Sequence, residues 1–326
     1  MMWGMDLFRS ITEPIDSELS RFKEHFSSLL DTDDANLAVL LDCLKARNGK
    51  MLRPVLALLI GKYYGFPSDS IYNVAVSLEL LHTASLIHDD VVDNSMLRRG
   101  NASFNAIFDN KMSILFGDYV VGMSLEEMAK TGDGNVSILS GISKTLSSGE
   151  IAQLSVRSSL ELSEDSYFDI ISRKTACLFS NVAYLAARVS GATESEALSF
   201  SGFGRMSGLC FQIRDDIFDY LPTECLGKPS GIDMREGKIT LPAIYALNAS
   251  GLDWSDTVRD IRGCVATDEQ IKAVTEYTIG HGGIRYAESR MQEFASQAME
   301  FLPGDMPDTL RRAFSDYIDL VISRER

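Results

Sequence analysis

Apolar residues recur every three to four positions along most of this chain, the period of an α-helix with one buried face. Over Ser70–Val92 the positions Ile71, Val74, Ala75, Leu78, Leu81, Ser85 and Leu86 keep that spacing, and Ser70 is placed to cap the helix. The same period predicts helices over 114–128, 138–154, 167–189 and 198–220. Clusters of Gly, Ser, Asp and Pro at 65–69, 131–134, 190–193 and 222–231 separate them. Thr240, ahead of Leu241 and Pro242, reads as a further helix start. Alternating apolar and polar runs are scarce, so few strands are expected. A chain of 326 residues has a prior of about two domains. Short connections without a compositional break argue instead for one all-α domain over 1–326, with no fixed-period repeat.

Two of these helices end in the same acidic pattern. Asp89-Asp90-Val91-Val92-Asp93 closes the first, and Asp215-Asp216-Ile217-Phe218-Asp219 closes the helix over 198–220. Both read DDxxD. Residues four apart lie on one helix face, so Asp89 and Asp93 share a stripe, as do Gln212, Asp215 and Asp219. Like charges at that spacing repel, and a helix C-terminus already disfavours negative charge. A bound divalent cation removes both penalties. Oxygen donors without neighbouring Cys suit a hard ion, Mg²⁺ before Zn²⁺. With 27 Asp in the chain, chance supplies about 0.2 DDxxD matches, so a pair ending two apolar helices is informative.

Cations bracket the acidic motifs. Lys50 and Arg53 precede an apolar run, Arg98 and Arg99 follow the first motif, Lys174-Thr175 lies between the two, and Lys228 and Lys238 follow the second. Aspartates, Mg²⁺ and several Lys and Arg together suit a diphosphate. His82 lies two helical turns before Asp89 on the same stripe. Its ExxH context, Glu79 to His82, has no second copy, which sets aside a di-iron bundle. The net charge is −15, which excludes general phosphate attraction to nucleic acid. Five scattered cysteines without a CxxC pair suggest reduced thiols and a cytoplasmic protein. The sequence shows no signal peptide and no evident membrane span.

Taken together, GKMLRP, LLHTASLIHDDVVDNSMLRRG, the KT of RKTACLF, FQIRDDIFDY and GKPSGIDMREGKITLP resemble, in order and spacing, the trans-isoprenyl diphosphate synthases, or polyprenyl synthetases. The resemblance implies an all-α bundle around a deep central cavity, generally a homodimer. It also implies a Mg²⁺-dependent prenyltransferase that condenses isopentenyl diphosphate with an allylic diphosphate. Lys50, Arg53, His82 and Arg99 correspond to contacts to isopentenyl diphosphate. Arg98, Lys174, Thr175, Gln212, Lys228 and Lys238 correspond to the allylic side. Asp89, Asp93 and Asp215 match direct metal ligands, with Asp90, Asp219 and Asp233 supporting them; Asp89, Asp93, Asp215, Lys174 and Arg98 carry the catalysis. The fourth and fifth positions before the first aspartate line the growing chain in this family. Here they are Ser85 and Ala84, both small, which implies an all-trans product longer than twenty carbons. The alternatives are a short-chain farnesyl or geranylgeranyl synthase, a class I terpene cyclase and a non-catalytic partner subunit. Complete aspartate motifs and the isopentenyl-side cations argue against the last two.

Overall fold

A computed structural model describes residues 2–47, 51–98, 101–221 and 231–323, without side-chain detail for 2–6 and 133. Lys50, Arg99 and Lys228 therefore lie outside the described residues. The chain runs through α1 (Met2–Thr12), α2 (Asp16–Ser28), α3 (Ala35–Lys45), α4 (Leu52–Tyr63) and α5 (Ser70–Val92). A two-residue antiparallel pair follows, β1 (Leu97–Arg98) and β2 (Asn101–Ala102), with Leu97 opposite Ala102. Then come α6 (Phe104–Phe108), α7 (Asn110–Ala129), α8 (Asp133–Ser155), α9 (Glu164–Ile171), a π-turn (Ser172–Ala176), α10 (Cys177–Val189) and α11 (Glu194–Phe218). The last elements are α12 (Ile232–Arg235), α13 (Leu241–Asn248), α14 (Ser255–Arg262), α15 (Asp268–Gly280), α16 (Gly283–Glu300) and α17 (Asp308–Ser323). The all-α expectation holds apart from the short hairpin.

One continuous apolar core runs from Ile11 to Val321, and a smaller one gathers Tyr220, Met234, Leu247, Ile261 and Val274 near α12–α15. Helix α5 stands in the larger core. It packs against α2, α4, α7 and α10, and is apolar on nearly every side. That is the signature of a helix buried all round. Its length and composition would also allow a membrane crossing, contrary to the sequence reading, but 61% of its most apolar window is buried inside the bundle. Ser70 is its first helical residue rather than its cap; the Ser68 hydroxyl accepts from the Ser70 N–H at 3.1 Å.

The helix expected over 167–189 runs unbroken from Glu164 to Val189, but with a π-turn inside it. The π-turn inserts one residue into the ladder and re-aims Lys174 and Thr175, a common device at functional sites. Two glycines let neighbouring helices close on this turn. A Cβ at Gly208 of α11 would lie 2.6 Å from the Ala176 Cα, and one at Gly149 of α8 would lie 2.8 Å from the Arg173 Cβ. The close approach at Gly208 sets Gln212, one turn further on, against Thr175.

Candidate active site

The C-terminal ends of α5 and α11 converge on the π-turn and on the segment after α12. Lys238 Nζ lies 3.0 Å from Asp93 Oδ2 of the first motif and 2.6 Å from Glu236 Oε2. Its backbone N–H donates to the Asp233 carbonyl at 2.8 Å. Asp233 in turn donates its N–H to Asp219 Oδ2 of the second motif at 3.2 Å. The π-turn reaches both motifs. The charge of Lys174 acts on Asp89, while the Thr175 hydroxyl donates to Gln212 Oε1 at 2.6 Å. A cavity of about 190 Å³ lies at this junction. Lys174, Thr175, Gln212, Asp216, Asp233 and Lys238 supply its polar wall; Ile170, Ile171, Ile239 and Ile244 supply an apolar one.

Within each motif the aspartates divide. Asp90 is 1% exposed and accepts from Arg98 Nε at 2.6 Å. Asp219 is 3% exposed and accepts from the N–H groups of Ile232 (2.9 Å) and Asp233, so it caps α12. These two expected metal ligands have their carboxylates engaged inside the protein, because each meets a structural donor on the helix side that faces the core. Asp89, Asp93 and Asp215 are half-buried. Arg98, expected on the allylic diphosphate, is likewise paired to Asp90, and its charge also reaches Asp89.

Burial pushes the Asp89 carboxyl up to about 6, an effect that Lys174 opposes and Glu150 and Asp93 reinforce. Burial also raises Asp216 and Asp233. Lys238 is raised in turn by Asp93, Glu236 and Asp233, against the opposing effect of its own burial. The junction thus gathers more carboxylates than cations in oxygen-only chemistry, which fits a hard divalent ion. Among the described residues no three His, Cys, Asp or Glu side chains already converge as a closed metal cage. An open set of carboxylates completed by ligand phosphates is the usual Mg²⁺ arrangement.

One result follows for stability. A carboxyl whose folded pKa lies above its unfolded value favours folding most below the unfolded value and loses that contribution as pH rises through the folded one. In metal-free protein, Asp89→Asn therefore raises Tm at pH 8 by a few degrees, and the gap closes as pH falls through about 6 toward 4. Thermal melts across that range check it; a pH-independent gap would exclude the burial effect.

The other expected site residues fall as follows. Arg53 is 8% exposed and stacks over the Phe179 ring at 4.4 Å from its centroid. His82, Ser85 and Asp89 form a half-buried stripe on α5, whereas Ala84 is fully buried. Ser85 and Ala84 are thus separated: only the first is accessible. The Ser85 hydroxyl donates to the His82 carbonyl at 2.8 Å, which leaves a small and largely apolar surface.

Glu150 and Gln153 of α8 escaped sequence reading. Lys174 Nζ pairs with Glu150 and donates to Gln153 Oε1 at 3.0 Å. Their only signal was polarity at i, i+3 in a helical run. Tyr167 was also missed, and Asp216 was read only as a member of the second motif; the phenol donates to Asp216 Oδ2 at 2.5 Å.

The comparisons with known proteins agree with this geometry. Residues 34–278 match the model of the Polyprenyl synthetase family. The chain is 33% identical over 301 residues to octaprenyl diphosphate synthase of Haemophilus influenzae, covering 92% of this chain and 91% of that one. Among solved structures it resembles geranylgeranyl pyrophosphate synthase from Bacteroides thetaiotaomicron, with a TM-score of 0.85, 39% identity and coverage of 98% and 100%. It also resembles a polyprenyl synthase from Caulobacter crescentus complexed with calcium and isoprenyl diphosphate, with a TM-score of 0.89, 30% identity and coverage of 97% and 98%. The fold is the all-α isoprenoid synthase fold, and the chemistry gathered at its mouth is that of a prenyltransferase. The chain belongs to the polyprenyl synthetase family. Enzymes of this family are generally dependent on a divalent metal.

Proposed function

We propose that this enzyme condenses isopentenyl diphosphate with an allylic diphosphate, using Mg²⁺, and repeats the step to an all-trans product longer than twenty carbons. The observation that carries the reading is Lys238, which touches Asp93 of one motif and is held by the segment that Asp219 of the other motif caps. Both acidic helix ends therefore meet at one junction, beside the cavity that Asp216, Asp233 and Lys238 line.

Asp89, Asp93 and Asp215 would hold the metal, with Asp233 supporting them. When bound, Mg²⁺ supplies Lewis-acid stabilisation of the negative charge that develops on the leaving diphosphate. Lys174 and Lys238 line or border the same pocket and add fixed positive charge there, with no reorganisation needed at the moment of reaction. Thr175 and Gln212, which line the cavity, would offer oxygens to the allylic cation. Ile170, Ile171 and Ile239 form the wall that keeps water from the cationic intermediate. Arg53 and His82, with Lys50 and Arg99, are assigned to isopentenyl diphosphate, and Lys228 to the allylic diphosphate. The coupled carbocation loses a proton from the carbon beside its cationic centre, the C–H pair forming the new double bond, and the departing diphosphate accepts that proton, so no side-chain base is assigned.

Product length rests on Ser85, small and accessible one turn before Asp89, and agrees with the octaprenyl name of one relative. The geranylgeranyl name of another supports a second reading, a twenty-carbon product. Incubation of purified protein with Mg²⁺, labelled isopentenyl diphosphate and an allylic primer tests both. Mass analysis should find diphosphates beyond twenty carbons; a limit at twenty selects the second reading, and cyclised hydrocarbon or no incorporation overturns both.

The working unit is proposed as a single-domain chain in a homodimer. Met112, Ile114, Leu115, Tyr119 and Leu125 of α7 expose apolar surface, with Ile151 and Leu154 of α8 nearby in sequence to the site. Sedimentation should give about twice the chain mass of 36.0 kDa. A single-chain mass at assay concentration overturns the dimer. The unpaired Cys43, Cys177, Cys210 and Cys264 fit a reducing compartment, and the protein is assigned to the cytoplasm on that basis.

A further inference from the structure

Four side chains from three elements form an unbroken hydrogen-bonded series at the inner wall of the pocket. Tyr167 of α9 donates its phenol proton to Asp216 Oδ2 at 2.5 Å. Asp216 Oδ1 accepts from Gln212 Nε2 at 2.8 Å. Gln212 Oε1 accepts from the Thr175 hydroxyl at 2.6 Å. Tyr167, Asp216, Gln212 and Thr175 all line the same cavity.

The chemistry of the groups gives this series a direction. Against its burial, the hydrogen bonds from Tyr167 and Gln212 favour the ionised form of Asp216. In that form it accepts only, so it selects the amide orientation that turns Nε2 toward it; the flipped amide would set two acceptors face to face. That orientation turns Gln212 Oε1 toward Thr175. A hydroxyl has one proton, and here it is committed to Gln212. The remaining lone pairs of the Thr175 oxygen are then available on the cavity side. Tyr167 is the terminal member of the series. It is 7% exposed, and its ring packs edge-on against Phe168 at 5.3 Å, so the donor is fixed from behind. Asp216 itself is 3% exposed, which leaves its Oδ2 few alternatives once the phenol is gone.

We propose that Tyr167 is a positioning residue for the condensation: by holding Asp216 it fixes the orientation of Gln212, and through it the direction in which Thr175 presents its oxygen to the reacting allylic group. This rests on the function proposed above. Tyr167 touches neither motif's half-buried aspartates nor the cationic side chains in the described contacts, so isopentenyl diphosphate and metal binding should be spared.

The test is steady-state kinetics of Tyr167→Phe, with thermal melts in the presence and absence of Mg²⁺ and inorganic pyrophosphate. The expected result is a fall in kcat of about tenfold, with KM for isopentenyl diphosphate changed by less than about twofold and the Tm rise on adding Mg²⁺ and pyrophosphate retained. A second arm separates positioning from general destabilisation. In Thr175→Val or Gln212→Met backgrounds the series is already cut, so adding Tyr167→Phe should cost less than about twofold more. Wild-type kcat in Tyr167→Phe, or losses that multiply in both double variants, would overturn the proposal. A wild-type enzyme that forms no product overturns the proposed function and this inference with it; an active wild type with multiplying losses overturns this inference alone.

Discussion

Asp215→Ala is expected to leave a folded chain that has lost turnover by at least about a hundredfold to a thousandfold. The carboxylate sits at the C-terminal end of α11, half-buried, beside a pocket already rich in acidic groups. In the proposed reaction its charge is needed only to hold the metal against the leaving diphosphate. Removal should leave the chain folded while activity collapses, and that separation is the diagnostic. Asp89→Ala is expected to behave in the same way at the end of α5. Asp90→Ala differs: it strips Arg98 of a buried partner and should lower Tm as well as activity. Incorporation of labelled isopentenyl diphosphate, read beside circular-dichroism melts, separates the three. Near-normal rates in Asp215→Ala or Asp89→Ala would remove these residues from the metal assignment.

The second large effect concerns product length. Ser85→Phe places a ring on the accessible stripe of α5, one turn of about 5.4 Å before Asp89. A chain growing along that stripe meets the ring after its first additions. The product distribution should shift to about twenty carbons or fewer, one helical turn corresponding to roughly one isoprene unit, with total incorporation reduced much less. Ala84→Phe is the poorer experiment. Ala84 is fully buried, so a ring there overpacks the core and costs about 1–3 kcal/mol or more before any product is made. An unchanged distribution in a stable Ser85→Phe variant would show that the tail runs along another face.

A good deal of this protein was legible in its sequence, because the relevant signals are local. A period of 3.6 residues is a property of one helix, and it placed α5, α7, α8 and α11 within a few residues of their observed ends. Likewise, i, i+4 spacing is enough to put Asp89 and Asp93 on one stripe, and the repetition of an electrostatically costly motif is enough to ask for a cation. The π-turn inside the helix over 167–189 was not legible. A π-turn is selected by how closely α8 and α11 approach it, and that depends on Gly149 and Gly208 far along the chain.

The division of labour inside each motif belongs to tertiary structure for the same reason. Spacing puts Asp89 with Asp93 and Asp215 with Asp219, and the family resemblance sets Asp90 and Asp219 in supporting roles, but neither says what those two meet. Packing gives Asp90 to Arg98 and Asp219 to the N–H groups of α12, and leaves Asp89, Asp93 and Asp215 half-buried. Periodicity, charge pattern and motif order determined the class of fold and the kind of ligand. Which carboxylate faces the ligand, which lysine bridges the two helix ends, and that a tyrosine stands behind Asp216 were decided only when distant segments met, since a hydrogen bond is chosen by proximity in space, which one chain's local pattern does not encode.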